Sequence, residues 1–169
     1  QYSVNAALVK MDADTAKQLA KQPGIAGVEK RQMHYLMTDS GPNYIGAAKS
    51  KNQKYILIYS SATTSSEVRY LPADDPNGSF KVFQPRMKDV LYDITPLEDK
   101  FLITTNKDAL NFKVMETPIN KTAVENWKDL IPHRKDVLIS GVDEFKNFLV
   151  FSERQNGLAQ LVIQTRKTL

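Results

Sequence analysis

The sequence predicts a mainly β protein: a partial β-propeller of about two and a half four-stranded blades, preceded by a small β-α-β-β unit. Three observations predict it. Beyond residue 43, short β-rich runs recur between turn signals and no helical periodicity appears. Within those runs one aromatic-aliphatic pattern returns at shifts of 46 and 47 residues. Between the two parts stands Asp39-Ser40-Gly41-Pro42-Asn43, a dense turn cluster after which the character of the sequence changes. The boundary is therefore placed there, giving a 1–43 unit and a 44–169 unit.

In the first unit, residues 5–11 read as a short strand, and Asp12 or Asp14 can cap a helix over Thr15-Ala16-Lys17-Gln18-Leu19-Ala20-Lys21. Pro23-Gly24 ends that helix. Ile25, Ala26 and Val28 begin an extended stretch, and Met33, Tyr35 and Met37 alternate with His34 and Leu36 as a following strand requires.

In the second unit the repeat supplies the elements. Lys54-Tyr55-Ile56-Leu57-Ile58, Lys100-Phe101-Leu102-Ile103 and Asn147-Phe148-Leu149-Val150-Phe151 superimpose, each an aromatic residue followed by aliphatic ones. Val68, Val114 and Leu161 fall into the same register. So do Asp89-Val90-Leu91 with Asp136-Val137-Leu138, and Phe83-Gln84-Pro85 with Leu130-Ile131-Pro132. An all-β repeat of about 40–50 residues with four strands per unit is the pattern of a propeller blade, whose sheet is covered on both faces by its neighbours. Tyr55, Phe101 and Phe148 are accordingly expected at equivalent, largely buried positions of successive blades. Closed propellers typically need about four to eight blades, so a stretch of this length does not close a ring by itself.

Composition bounds the function classes. The chain has 169 residues, 41% hydrophobic and 25% charged, and no run approaching the ~18 apolar residues of a membrane-spanning helix. It begins at Gln1 without an initiator Met or a basic stretch leading into an apolar core, so a fragment is expected. With no Cys, disulfides, thiolate zinc sites and cysteine nucleophiles are excluded. The net charge of +4 is spread evenly, as +1 over residues 1–47 and +3 over residues 48–169. Lys30-Arg31, Arg134-Lys135 and Arg166-Lys167 are its densest basic spots, too sparse for a nucleic-acid footprint. Neither nucleic acid nor a membrane is expected as a partner.

No residue earns a catalytic, cofactor-binding or metal-ligating assignment. There is no Gly-x-Ser-x-Gly elbow, and the two histidines, His34 and His133, fall in different units, where each reads as a surface or packing residue rather than a base. Asp74-Asp75-Pro76-Asn77-Gly78 resembles a calcium loop only superficially: Pro76 interrupts it and no Glu closes it, so it reads as a hairpin turn. Glu98-Asp99 and Asp143-Glu144 are placed in turns before the aromatic strand, and Trp127 in the core.

Two family resemblances follow from particular residues. Tyr44-Ile45-Gly46, Lys49-Ser50-Lys51, Lys54-Tyr55-Ile56-Leu57-Ile58, Thr63-Thr64-Ser65-Ser66-Glu67-Val68-Arg69-Tyr70-Leu71 and Ala73-Asp74-Asp75-Pro76 closely resemble the β-propeller domain of oligopeptidase B, in the prolyl oligopeptidase family of serine peptidases. The likeness runs on through Tyr92-Asp93, Asp99-Lys100-Phe101 and Asn111-Phe112-Lys113-Val114 to about Leu169. It implies a seven-bladed propeller that caps an α/β-hydrolase domain and admits peptides cleaved after basic residues. The family's Ser, Asp and His lie in that hydrolase domain and have no matching positions here. The implied partners are the hydrolase domain and a peptide; no cofactor is implied, and the compartment is cytoplasmic or periplasmic.

Residues 1–46 differ. Asn5-Ala6-Ala7-Leu8-Val9, the helix around Leu19, Gln22-Pro23-Gly24-Ile25-Ala26-Gly27-Val28-Glu29 and His34-Tyr35-Leu36 resemble the second half of the inhibitor-type propeptide of subtilisin-like peptidases. Thr38-Asp39-Ser40-Gly41-Pro42-Asn43-Tyr44-Ile45-Gly46 resembles that family's junction into the mature enzyme. This implies an alternative function, a secreted peptidase inhibitor or folding chaperone carried by residues 1–38. The leading expectation is a noncatalytic propeller segment acting as scaffold and gate.

Overall fold

The computed structural model describes Lys21, residues 44–75 and residues 77–166. The β-α-β-β unit expected over residues 1–43, and the boundary after it, lie outside the described residues, as does Pro76. Every strand pairing among the described residues is antiparallel, and their one 3₁₀ helix is the turn at Val124–Asn126.

Eleven strands form three sheets in chain order. Sheet A holds β1 (Tyr44–Lys49), β2 (Tyr55–Ser61), β3 (Ser66–Pro72) and β4 (Lys81–Val82). Sheet B holds β5 (Tyr92–Pro96), β6 (Lys100–Thr105), β7 (Lys113–Pro118) and β8 (Lys128–Ile131). Sheet C holds β9 (Val137–Glu144), β10 (Phe148–Gln155) and β11 (Leu158–Thr165). Each sheet is a meander whose strands pair in sequence, so two four-stranded units and one three-stranded unit reproduce the predicted partial propeller.

Turn chemistry sets these hairpins. Asn156-Gly157 supplies the two left-handed residues, φ +50° and +79°, that a two-residue hairpin needs between Gln155 and Leu158. The Asp74–Gly78 segment is part of the β3–β4 connection, with Gly78 N–H donating to the Asp75 carbonyl at 3.1 Å. A Cβ on Gly78 would stand 2.5 Å from Asp75 Oδ2 and 2.9 Å from Leu71 Cδ1, so those side chains would have to shift to admit a larger residue. Asp143 and Glu144 depart from expectation: they end strand β9, and the turn falls on Lys146-Asn147.

The core lies in two layers between sheets. Leu57 and Val68 of sheet A, with Phe83 just after β4, meet Tyr92, Ile94, Phe101, Ile103 and Met115 of sheet B in the first. Leu102 and Val114 of sheet B meet Ile139, Leu149 and Phe151 of sheet C in the second. Trp127 is buried in the first layer as expected, its Nε1–H donating to the Thr122 carbonyl at 2.8 Å.

The repeat is right about strands and, at one point, wrong about register. Val68, Val114 and Leu161 sit on the third strand of each sheet, opposite Tyr59, Thr104 and Ser152. Tyr55, Phe101 and Phe148 all sit on second strands, but Phe101 is one residue out of step. The hairpin-closing bonds Ser50 N–H to Tyr55 O, Leu97 N–H to Lys100 O and Phe145 N–H to Phe148 O make Lys100 the counterpart of Tyr55 and Phe148. Because strand side chains alternate, that step turns Phe101 to the opposite face. Tyr55 and Phe101 therefore touch across the A–B layer, ring centroids 5.5 Å apart. Only Phe101 is fully buried; Tyr55 and Phe148 are half-buried. The slip does not follow turn length, since β5–β6 and β9–β10 both carry two residues between their closing pairs and β1–β2 four: the aromatic residue stands on the closing position in β2 and β10 and one residue later in β6.

Candidate functional site

Polar side chains link separate segments of the fold at two places in particular. The first is the end of the stack where the β1–β2, β5–β6 and β9–β10 turns come together around a cleft of about 510 Å³. Lys51 and Asn52 from sheet A, Glu98 from sheet B, and Glu144, Phe145 and Arg166 from sheet C line it. Lys51 Nζ lies 3.3 Å from Asp143 Oδ1 and 3.9 Å over the Phe145 ring, which stacks on Phe148 at 4.7 Å. Lys54 pairs with Glu98. Glu144 is 6% exposed, and its Oε2 has no hydrogen-bond partner. Burial raises its carboxyl above the usual glutamate range, against the opposing pull of Arg166, Lys51 and the Asn52 backbone N–H.

The second place is Arg86, just after Pro85. Its Nη1 donates to Ser65 O at 2.7 Å and Ser65 Oγ at 2.9 Å, its Nη2 to Ser60 O at 2.9 Å and Ser60 Oγ at 2.8 Å. Its backbone N–H donates to Glu67, whose other oxygen accepts from Arg69 Nε at 3.0 Å. The guanidinium thus ties the β2–β3 hairpin to the segment after β4, a structural use of its fork of donors.

Neither place assembles a nucleophile and a base. The buried serines Ser50, Ser60, Ser65 and Ser66 are held in structural hydrogen bonds. His133 lies after β8, its Nε2 accepting the Asn111 N–H at 3.4 Å, and makes no bond to any of them. His34 lies outside the described residues. Among the described residues no group of three or more His, Cys, Asp or Glu could hold a metal ion. Sequence reasoning missed Lys51, Asn52, Arg86 and Arg166 as bridging residues. A signal was present for the first two, in the polar insertion that separates Ser50 from Tyr55.

A stack of four-stranded antiparallel meanders with its buried layers between sheets is the geometry of propeller blades. Residues 34–168 match the family described as the prolyl oligopeptidase N-terminal β-propeller domain. The chain belongs to this family. It is 42% identical over 119 residues to dipeptidyl aminopeptidase BI of Pseudoxanthomonas mexicana, and 31% identical over 114 residues to protease 2 of Moraxella lacunata. Those matches cover 70% and 68% of this chain but 16% of each relative. Among solved structures, oligopeptidase B of Trypanosoma brucei with covalently bound antipain aligns at TM-score 0.68 and 28% identity, over 73% of this chain and 18% of that one. Oligopeptidase B of Leishmania major aligns at TM-score 0.68 and 24% identity, with the same coverage, a likeness of fold. The propeller family member described here thus spans about a sixth of its relatives' length.

Proposed function

We propose that this chain is a noncatalytic propeller segment of an oligopeptidase B-like serine peptidase, a scaffold and substrate gate for peptides cleaved after basic residues. The cleavage belongs to a hydrolase domain that the segment adjoins. The match of residues 34–168 to the N-terminal propeller domain carries this reading. The described residues support it, since the buried serines Ser50, Ser60, Ser65 and Ser66 and the single described histidine are held in structural bonds rather than paired with one another.

The 42% identity to a dipeptidyl aminopeptidase favours a second reading of the substrate, in which the adjoining domain removes amino-terminal dipeptides. Two assays test the proposal. Incubated with a fluorogenic arginyl peptide and a serine-hydrolase phosphonate probe, the purified chain gives neither turnover nor labelling; either result overturns the noncatalytic reading. Residues 44–169, placed in the matching stretch of the Pseudoxanthomonas mexicana enzyme, give a folded and active peptidase. A folded chimera without activity overturns the scaffold role. Loss of discrimination between amino-blocked arginyl substrates and free dipeptide substrates, relative to the parent enzyme, identifies the segment as part of the gate.

A further inference from the structure

We propose that the β1–β2 turn is a strap that ties the ends of all three sheets together and sets the angle at which they splay. The turn is two residues longer than its counterparts in sheets B and C, and its two bridging residues point to different sheets. Asn52 reaches sheet B: its Nδ2 donates to the Pro96 carbonyl at 3.0 Å and the Leu97 carbonyl at 3.4 Å. Lys51 reaches past sheet B to sheet C, to Asp143 and the Phe145 ring, across a separation of 92 residues from Asp143. Lys54, at the start of the returning strand, adds the pair with Glu98.

The strap is pre-formed, so little ordering entropy opposes its contacts. Ser50 is buried, its Oγ donating to Asn52 Oδ1 at 2.7 Å and accepting the Tyr55 N–H at 2.9 Å. Asn52 Oδ1 also accepts the Lys54 N–H at 3.1 Å, and Gln53 takes the left-handed conformation, φ +65°, that closes the loop. All the hydrogen-bonding capacity of the Asn52 amide is used, with its acceptor inside the turn and its donors on sheet B. At the opposite ends of the strands directional bonds already join the sheets, with Ser66 Oγ donating to the Tyr92 carbonyl at 2.7 Å and the Ile139 N–H to the Asn111 carbonyl at 3.0 Å. At the turn end the sheets meet through apolar layers and one long bond, Thr95 Oγ1 to the Val142 carbonyl at 3.4 Å, which leave room for tilting that the strap's bonds remove.

The absence of cysteine makes distance measurement clean. Spin labels at Asp74→Cys and Gln160→Cys, both exposed, report the separation of sheets A and C. In the otherwise unaltered chain the distance distribution is narrow. Asn52→Ala and Lys51→Glu each broaden it and move it to longer distances, with the far-ultraviolet circular dichroism of the sheets unchanged, and adding Asp143→Lys to Lys51→Glu narrows it again. Lys51 is exposed, so its charge reversal probes the strap without emptying the core. A distribution unmoved by both variants, or a broadening by Lys51→Glu that Asp143→Lys fails to reverse, overturns the proposal.

Discussion

Sheets B and C share one repeat and differ in burial. Sheet B is covered on both faces: Phe101 and Ile103 point to sheet A, Leu102 and Val114 to sheet C, and all four are at most 1% exposed. Sheet C is covered on one. Its inward residues Leu149 and Phe151 are fully buried, while Leu161 and Ile163 are 71% and 67% exposed. Val114 and Leu161 occupy equivalent positions on third strands, yet one is buried and the other open. Burial in a stacked repeat is thus conferred by the neighbour rather than by the residue or its strand.

Four measurements sharpen or break this comparison. The largest effect is expected at the doubly covered sheet: Phe101→Ala removes a fully buried ring from the aromatic cluster with Tyr55, Tyr70 and Phe83 and costs about 3–5 kcal/mol in denaturant unfolding. A loss below about 1 kcal/mol on the same scale breaks the claim that this layer is close-packed.

Next comes Tyr92→Phe. The Tyr92 hydroxyl donates to Gln84 O at 2.5 Å and accepts the Val68 N–H at 2.9 Å, so its removal leaves two buried groups unpaired, at about 1–3 kcal/mol. Burial pushes the phenols of Tyr92 and Tyr59 up to about 12. The unfolded chain ionises these groups first. Their contribution to stability is therefore full below about pH 10, where an unperturbed tyrosine titrates, and is lost as pH rises through about 12. Thermal midpoints measured across that window fall steeply, and less so in Tyr92→Phe. A wild-type midpoint flat from pH 10 to 12 contradicts the burial of these rings.

Glu144→Gln acts in the opposite direction. Because burial raises the Glu144 carboxyl, the fold favours its protonated form, a contribution present at low pH and lost as pH rises through the raised value. The neutral amide consequently raises the melting midpoint at neutral pH, and the gain shrinks on acidification into the carboxylate range. A gain that persists unchanged in acid points to packing rather than charge.

Leu161→Ala closes the series. On the open face of sheet C it shifts stability by less than about 0.5 kcal/mol, although the equivalent Val114 is buried. A large loss there shows that something covers this face.

The strands and their grouping were legible in the sequence because each is a local pattern. Asp89-Val90-Leu91 and Asp136-Val137-Leu138 do lead into or open the first strands of sheets B and C, as their spacing predicts. The turn at Asn156-Gly157 was legible for the same reason, since residue chemistry alone selects it; Trp127 was expected in the core from its size, and its burial depends on Phe83 and Tyr92 beside it. Lys51 and Arg86 were not legible, because their partners lie 92 and up to 26 residues away and only folding brings them near.

By itself, then, the sequence determined the all-β class, the three successive meanders and the period that relates them, because alternation, turn residues and repetition are properties of the chain. Only the tertiary structure decided which face Phe101 presents, which copy of a repeated position is buried, and which turn reaches across the stack. A side-chain period of two makes a two-residue difference in turn length compatible with the same strands, while a one-residue error in aligning them reverses the face. Covering a face, in turn, depends on what stands beside the sheet.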